Sequence, residues 1–483
     1  MTEYRTEKDS MGEMQVPKDA LWGASTARAV GNFPVSGQTG STLPDLIKAY
    51  GYLKKACALA NRDVKALDAK IAEAISKAAD EMIAGKHNRE FVVDVFQAGA
   101  GTSINMNANE VLATRAMQLD ASVKINPNDH VNYGQSTNDT FPTVLHLSAL
   151  LAFPRLDAGL KAVQDACEAK GREWARVIKS GRTHLQDAVP ITLGQEFMSW
   201  RNCIRHLRQN LKEAADKLLE LALGGSAIGT GLNTADGYRP VAFKYLRDLT
   251  ALQVREPEDP FEAVNSRWAF NNFSAAIRTT AVELTRITND IRLLSCGPTT
   301  GLDEFRLKPV QPGSSIMPGK INPSNPECMN QLLYQVLGND HTVMLCAMAG
   351  QLDLNVMMPT MACTMLWSMN WLANFLPKFA QDTVAGCVLN AERCQQYLET
   401  SQALVTVLNP IIGYAASAKI AKETLTTGKT PKQLIKEHGI LSAEQEKKYY
   451  DIDYLTKRYP QAGFEARTAG FWPLQWPRRD RRV

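Results

Sequence analysis

The sequence predicts a mainly α protein organised round a central bundle of long helices. Two observations carry that expectation. Long segments run without proline, with apolar side chains three and four residues apart. Several of these segments are apolar on more than one face, the pattern of a helix covered on all sides. The chain has 483 residues, enough for several domains. Its composition, 45% hydrophobic and 22% charged, is that of a globular protein whose core needs no disulfide or metal staple.

Residues 1–137 read as an N-terminal, mainly helical domain, in which shorter helical patterns alternate with Gly- and Asn-rich turns such as QAGAGTSINMNANE and NPNDHVNYGQSTND. Residues 138–392 read as the central long-helix bundle. Between Ile191 and Leu223, the side chains Phe197, Trp200, Ile204, Leu207, Leu211 and Leu218 recur at helical spacing. The stretch after Pro260 does the same through Phe270, Phe273, Ile277, Leu284, Ile287 and Leu294, as far as Cys296. Further long helices are expected from Cys328 to Met358, after Pro359, and from about Phe379 to Val407. Residues 393–483 read as a small helical domain, with Thr430–Pro431 starting one helix and Gly439 stopping it. The chain closes on a basic Trp/Pro tail, ARTAGFWPLQWPRRDRRV, expected to be a partly ordered extension without chemistry.

Charge and cysteine usage exclude several classes. With 54 Lys and Arg against 50 Asp and Glu, the net charge is only +4, which argues against nucleic acid as a partner. The nine cysteines are odd in number and form no C-x-x-C pair, so a reducing, cytoplasmic compartment is expected. The seven histidines show no zinc spacing, and no metal site is expected. The N-terminus has no apolar run of the secretory kind. Residues 354–377 carry no charge and have the length of a bilayer span. However, Asn355, Thr360, Ser368, Asn370 and Asn374 are scattered through it, Pro359 interrupts it, and the mean hydropathy of the chain is −0.24. A helix buried in a bundle, not a membrane span, is the expected reading.

Polar density in three stretches stands out against this helical background. The first, GTSINMNANE (101–110) with HVNYGQSTNDTFPT (130–143), gathers Thr102, Ser103, Asn105, Ser136, Thr137 and Asn138. Capping accounts for one or two such residues at a helix start, not for two clusters. Neutral donors at helix N-termini suit an anion, a carboxylate above all. The second, SGRTHLQDAVPITLGQE (180–196), sets Thr183 and His184 beside Arg182, Gln186 and Asp187. A lone histidine is more often a surface residue than a catalyst, and its polar neighbours move the balance toward function. The third, VQPGSSIMPGKINPSNPE (310–327), is a Gly- and Pro-rich loop between two long helices. Ile321 follows Lys320 where a Walker A loop needs Ser or Thr, which argues against ATP.

GSSIMPGKINP resembles the signature loop of the aspartase/fumarase superfamily. The opening DSMGEMQVPKDALWGASTARAVGNFPVSG, both donor clusters, GRTHLQDAVPITLGQE, GSAIGTGLNT and LNPIIGY resemble the same family in the same order, over nearly the whole chain. The opening and GTGLNT look like class II fumarase. AGTSINMNANEVLA, QSTND, THLQDAVP and PECMNQLLYQVLGNDHTVMLCAMAGQLDLNVM look like aspartase. Asn126 in INPND stands where fumarases have the histidine of an accessory anion site. MMPT (357–360) replaces the Met-Glu-Pro common in aspartases.

The resemblance implies a three-domain subunit whose long helices assemble into a homotetrameric core, with active sites shared between subunits. It implies a lyase that eliminates ammonia from L-aspartate to give fumarate through an aci-carboxylate. The alternatives are a class II fumarate hydratase and a carbon–nitrogen lyase acting on an aspartate derivative. A non-catalytic packing protein is the third class, and the retention of Ser314 and Lys320 argues against it. By the resemblance, Thr102, Ser136, Thr137 and Ser315 hold the β-carboxylate, and Thr183, Lys320 and Asn322 hold the α-carboxylate. Ser314 matches the general base. Asn138 and His184 match positions near the leaving group, and Glu327 matches the carboxylate that partners the histidine. The chemistry requires no cofactor.

Overall fold

The computed structural model describes residues 3–456, and the Trp/Pro tail lies outside them. The chain opens with a hairpin, β1 (Tyr4–Asp9) and β2 (Gly12–Pro17). Helices α1 (Ala24–Asn32), α2 (Pro44–Asp63), α3 (Ala69–Ile83) and α4 (Thr102–Leu119) follow. A π-helical turn, Pro127–Val131, leads to α5 (Thr137–Glu173). A second hairpin, β3 (Ile178–Thr183) and β4 (Gln186–Thr192), precedes α6 (Leu193–Lys217). Then come α7 (Tyr238–Thr250), α8 (Pro260–Asn265), α9 (Trp268–Leu294), β5 (Phe305–Arg306), α10 (Ser324–Met348) and α11 (Met358–Phe379). The remainder comprises β6 (Val388–Leu389), α12 (Ala391–Thr400), α13 (Asn409–Ile412), α14 (Tyr414–Thr427), α15 (Pro431–Glu437), α16 (Ala443–Tyr449) and α17 (Ile452–Thr456).

The protein is mainly α, as the periodicity predicts, but the helix ends differ in instructive ways. The segment after Pro260 breaks at Ser266, whose extended backbone separates α8 from α9. The helix expected up to Met358 stops at Met348. No continuous helix covers Phe379 to Val407. A π-helical turn, Ala380–Ala385, ends at Gly386, where a Cβ would lie 2.7 Å from the Asp382 carbonyl oxygen. Asn390 and Ser401 then each start a new helical turn by accepting a backbone N–H on the side chain. The longest helix, α5, is the one the periodicity does not single out, because Pro142 and Pro154 lie inside it. Thr430 caps α15 in a reciprocal box with Gln433, the start expected there.

Two compact units divide the chain. The first comprises residues up to Glu168, Trp200–Ser295 and Leu307–Cys387. Here α10 packs on α9 and α11, and α2 packs on α3 and α7. Phe153 of α5 meets Phe273 of α9 edge-on with centroids 5.9 Å apart, and Gly159 of α5 lies against Leu376 of α11. Two polar residues of the uncharged 354–377 stretch are bonded to neighbouring helices: Asn339 donates to Ser368 at 2.8 Å and Arg155 to Asn370 at 2.6 Å. That satisfaction inside protein is why α11 is buried on most of its circumference yet polar. Among the described residues, no helix is long and apolar enough to cross a membrane.

The second unit comprises Ala169–Ser199, Cys296–Arg306 and the residues from Val388 on. Trp174, Phe197 and Phe305 form an aromatic triangle with centroids 5.0, 5.8 and 6.1 Å apart. A second small core gathers Val405, Leu408, Ile420, Leu434 and Ile435.

In the first unit, Gly101 sets the start of α4 against α5. Its φ is +81°, and a Cβ there would lie 2.0 Å from the Phe141 ring. Gly101→Ala therefore combines left-handed strain with overpacking. It is expected to destabilise the fold by at least ~2 kcal/mol, read as a lower denaturant midpoint.

Candidate active site

Both donor clusters sit at helix N-termini in the first unit. Thr102 is the first residue of α4, and Thr137 is the first of α5. Ser136 carries the carbonyl that accepts the first α5 backbone bond, from Thr140 N–H. The two starts are joined, because Asn105 of α4 donates to the Thr137 hydroxyl at 3.2 Å. Asn138 N–H donates to Ser136 Oγ, and the Asn138 side chain donates to the carbonyl of Ala227 at 2.8 Å. Two long helices thus present their partly positive ends with hydroxyls beside them.

Beneath these donors lies a buried polar hub. Asn132 Oδ1 accepts from Lys54 Nζ at 2.9 Å and from Asn105 and Asn109 at 3.2 Å each. Lys54 Nζ also donates to Gln135 Oε1 at 2.9 Å. Asp139 is fully buried, and its oxygens accept the backbone N–H groups of Ser136, Gly224 and Ser226. Burial pushes its carboxyl up to about 6, against the pull of those three donors. Lys54 is also fully buried, and desolvation brings its ammonium down to about 8.

The Gly-rich loop, residues 310–323, is in the same unit. Gly313 N–H donates to the Lys320 carbonyl at 2.9 Å, and Asn322 Nδ2 donates to the Gly313 carbonyl at 2.6 Å. A Cβ on Gly313 would lie 2.3 Å from Lys320 O, so the neck closes only round glycine. Ser314 Oγ accepts two backbone N–H groups, from Ile316 at 3.2 Å and Met317 at 3.0 Å. Ser315 and Lys320 are exposed, and Glu327 lies half-buried in the first turn of α10. Among the described residues, no hydrogen bond joins this loop to Thr102 or to Ser136–Asn138. Ile316 is 83% exposed at the tip.

Thr183 and His184 belong to the second unit, at the tip of the β3–β4 hairpin. Thr183 pairs with Gln186, which leaves a two-residue turn of His184 and Leu185. Both have positive φ, +57° and +58°. A turn of this kind favours Asn and Gly, so a histidine followed by a leucine is strained there. A buried ionic network braces the hairpin base. Lys179 bonds Glu196 at 2.9 Å and Glu304 at 2.5 Å, and Arg182 bonds Glu304 at 2.5 Å. The Arg182 guanidinium also lies over the Tyr397 ring.

Comparison with known proteins gives the arrangement its context. A family model described as "Lyase" matches residues 12–338, and one described as "Fumarase C C-terminus" matches residues 404–457. The chain belongs to the aspartase/fumarase superfamily. It is a lyase of that superfamily. It is 47% identical over 445 residues to a class II fumarate hydratase of Corynebacterium glutamicum, covering 92% of this chain and 93% of that one. It is 42% identical over 449 residues to an aspartate ammonia-lyase of a Bacillus species, covering 92% and 96%. The crystal structure of a fumarate lyase:delta crystallin from Brucella melitensis bound to cobalt matches with a TM-score of 0.90 at 44% identity, covering 95% of this chain and 100% of that one. Superfamily membership accounts for the fold.

Sequence reasoning named the hydroxyls and missed what holds them. Asn132, Gln135 and Asp139 lie within the polar stretch 130–143 without being singled out there, and Lys54 sits in a segment that reads as ordinary helix. The available signal was a lysine at the centre of the apolar run YGYLKKACALA, one of whose two adjacent lysines had to face inward. Glu304→Gln removes one charge from the hairpin network and leaves Lys179 and Arg182 buried and undercompensated. The expected cost is about 3–5 kcal/mol, with faster amide hydrogen exchange across residues 178–192.

Proposed function

We propose that the protein eliminates ammonia from L-aspartate to give fumarate, as a homotetramer with shared active sites. The observation that carries the reading is Ser314. A serine hydroxyl is a poor base at neutral pH. Two backbone N–H groups aimed at its Oγ lower the cost of the alkoxide, and closure of the Gly-bounded loop would exclude water. Ser314 then takes the proton from the carbon beside the β-carboxylate. The electron pair moves into that carboxylate as the aci form, then returns to form the double bond as the carbon–nitrogen bond breaks and ammonia leaves.

Thr102, Ser136, Thr137 and Ser315 would hold the β-carboxylate, where charge accumulates and neutral donors gain most. Thr183, Lys320 and Asn322 would hold the α-carboxylate. Asn138 and His184 would face the amine, with Glu327 partnering the histidine. Asn126, standing where fumarases carry the histidine of an accessory anion site, supports the choice of aspartate over malate in this reading. Its side chain accepts the backbone N–H groups of Asn128 and Asp129, capping the turn that carries the accessory anion site in fumarases. The assembly is supported by α10, where Tyr334, Leu345 and Met348 lie 54%, 44% and 73% exposed along one face. Nine cysteines outside any disulfide fit a reducing cytoplasm.

The test is absorbance of fumarate formed by purified protein from L-aspartate and, separately, from L-malate. Faster turnover of aspartate is expected; turnover of malate alone would make the protein a fumarate hydratase. Ser314→Ala should bind succinate within ~3-fold of wild type while kcat falls at least ~1000-fold, and a comparable kcat would reject the base assignment. Activity should vanish on dilution to a monomer, checked by light scattering of the assayed sample.

A further inference from the structure

Lys54 is a cation in the interior that the reaction described above does not use. It lies fully buried on α2. Its two hydrogen-bond acceptors are neutral amides, Asn132 Oδ1 and Gln135 Oε1. Burying an ammonium is costly, and a well-packed apolar side chain would serve a purely structural role at lower cost. Amide oxygens solvate the ammonium without neutralising it, so its field persists in a medium of low dielectric.

The position of that charge gives it a use. Gln135 immediately precedes Ser136, and Asn132 Oδ1 shares Asn105 Nδ2 with the Thr137 hydroxyl. Each bond from Lys54 is thus one residue or one side chain removed from the donors at the α5 start. We infer that Lys54 is a positioning residue for the dicarboxylate: it fixes the segment carrying Ser136, Thr137 and Asn138, and its ammonium, bonded to no carboxylate, favours a dianion beside them. This rests on the dicarboxylate reading above.

The surrounding titratable groups define the pH window. Asp139 on α5 is the carboxylate in electrostatic reach, and its oxygens are bonded to backbone N–H groups instead of to Lys54. Burial pushes Cys57, on the same helix as Lys54, up to about 12 and raises Tyr238 on α7 well above its ordinary value. Neither changes charge near pH 8. Asp139, at about 6, is ionised throughout that range. Lys54, at about 8, carries its charge below that pH and loses it above.

The experiment measures succinate binding calorimetrically from pH 6.5 to 9.5 for the wild-type oligomer, Lys54→Met and Lys54→Arg, with KM and kcat for the substrate that wild type uses. Wild-type affinity should fall across about pH 8. Lys54→Met should bind at least ~10-fold more weakly at pH 7 and lack the step, with KM raised more than kcat is lowered. Lys54→Arg, whose charge persists over the whole range, should bind without the step, and it decides the matter if Lys54→Met does not fold. Wild-type-like binding by Lys54→Met, no step in wild type, or a step retained in Lys54→Arg would each overturn the assignment. Wild type that neither binds succinate nor turns over aspartate or malate would instead sink the dicarboxylate reading, and this inference with it.

Discussion

Three segments of the chain meet on a single side-chain oxygen. Asn132 Oδ1 takes hydrogen bonds from Lys54 on α2 and from Asn105 and Asn109 on α4, and its own backbone leads through Gln135 into α5. An oxygen accepting three donors, one of them charged, tolerates little displacement of any of them. The starts of α4 and α5 therefore stand in a fixed relation, reinforced by the close approach of Gly101 to Phe141. A pair of helix ends attracts an anion only if the anion can face both at once. The hub fixes the two starts relative to each other without any ligand.

The same economy of fixed donors appears in the other two polar stretches, by different means. The 310–323 loop has no helix to stiffen it. It is pinched at the neck by the Gly313–Lys320 backbone bond and by the Asn322 side chain, and it leaves Ser314 with two N–H groups directed at its oxygen. The β3–β4 hairpin is stiffened from below by paired buried charges and an aromatic face. The polar residues at each of these places stand out because they occupy positions where plain connections would suffice.

How much was readable without coordinates follows from the range of each interaction. Helical periodicity is local, so α6, α9, α10 and α11 are legible in the spacing of Phe, Leu and Ile. Thr430 and Gln433 form a cap within four residues, so α15 is legible too. Periodicity fails where a long-range contact decides. Two prolines in α5 are tolerated because packing on α9 and α11 sustains the helix around them. The helix expected between Phe379 and Val407 is broken by side-chain caps at Asn390 and Ser401 that no hydrophobic pattern encodes. In the candidate site, Ser136, Thr137 and Ser314 are visible as anomalies of composition. Lys54 shows only as one of two lysines in an apolar run and Asp139 only as one member of a polar stretch, because the role of a buried charge is set by the partners that solvate it.

The turn at His184 and Leu185 bears on how this protein could be altered. Asn-Gly at those two positions would relax the backbone, and a search for thermal robustness would select it early. That gain would erase the imidazole the turn displays. Under the role proposed for His184, robustness and chemistry compete at this turn, and improvement of the scaffold is better sought among the helices.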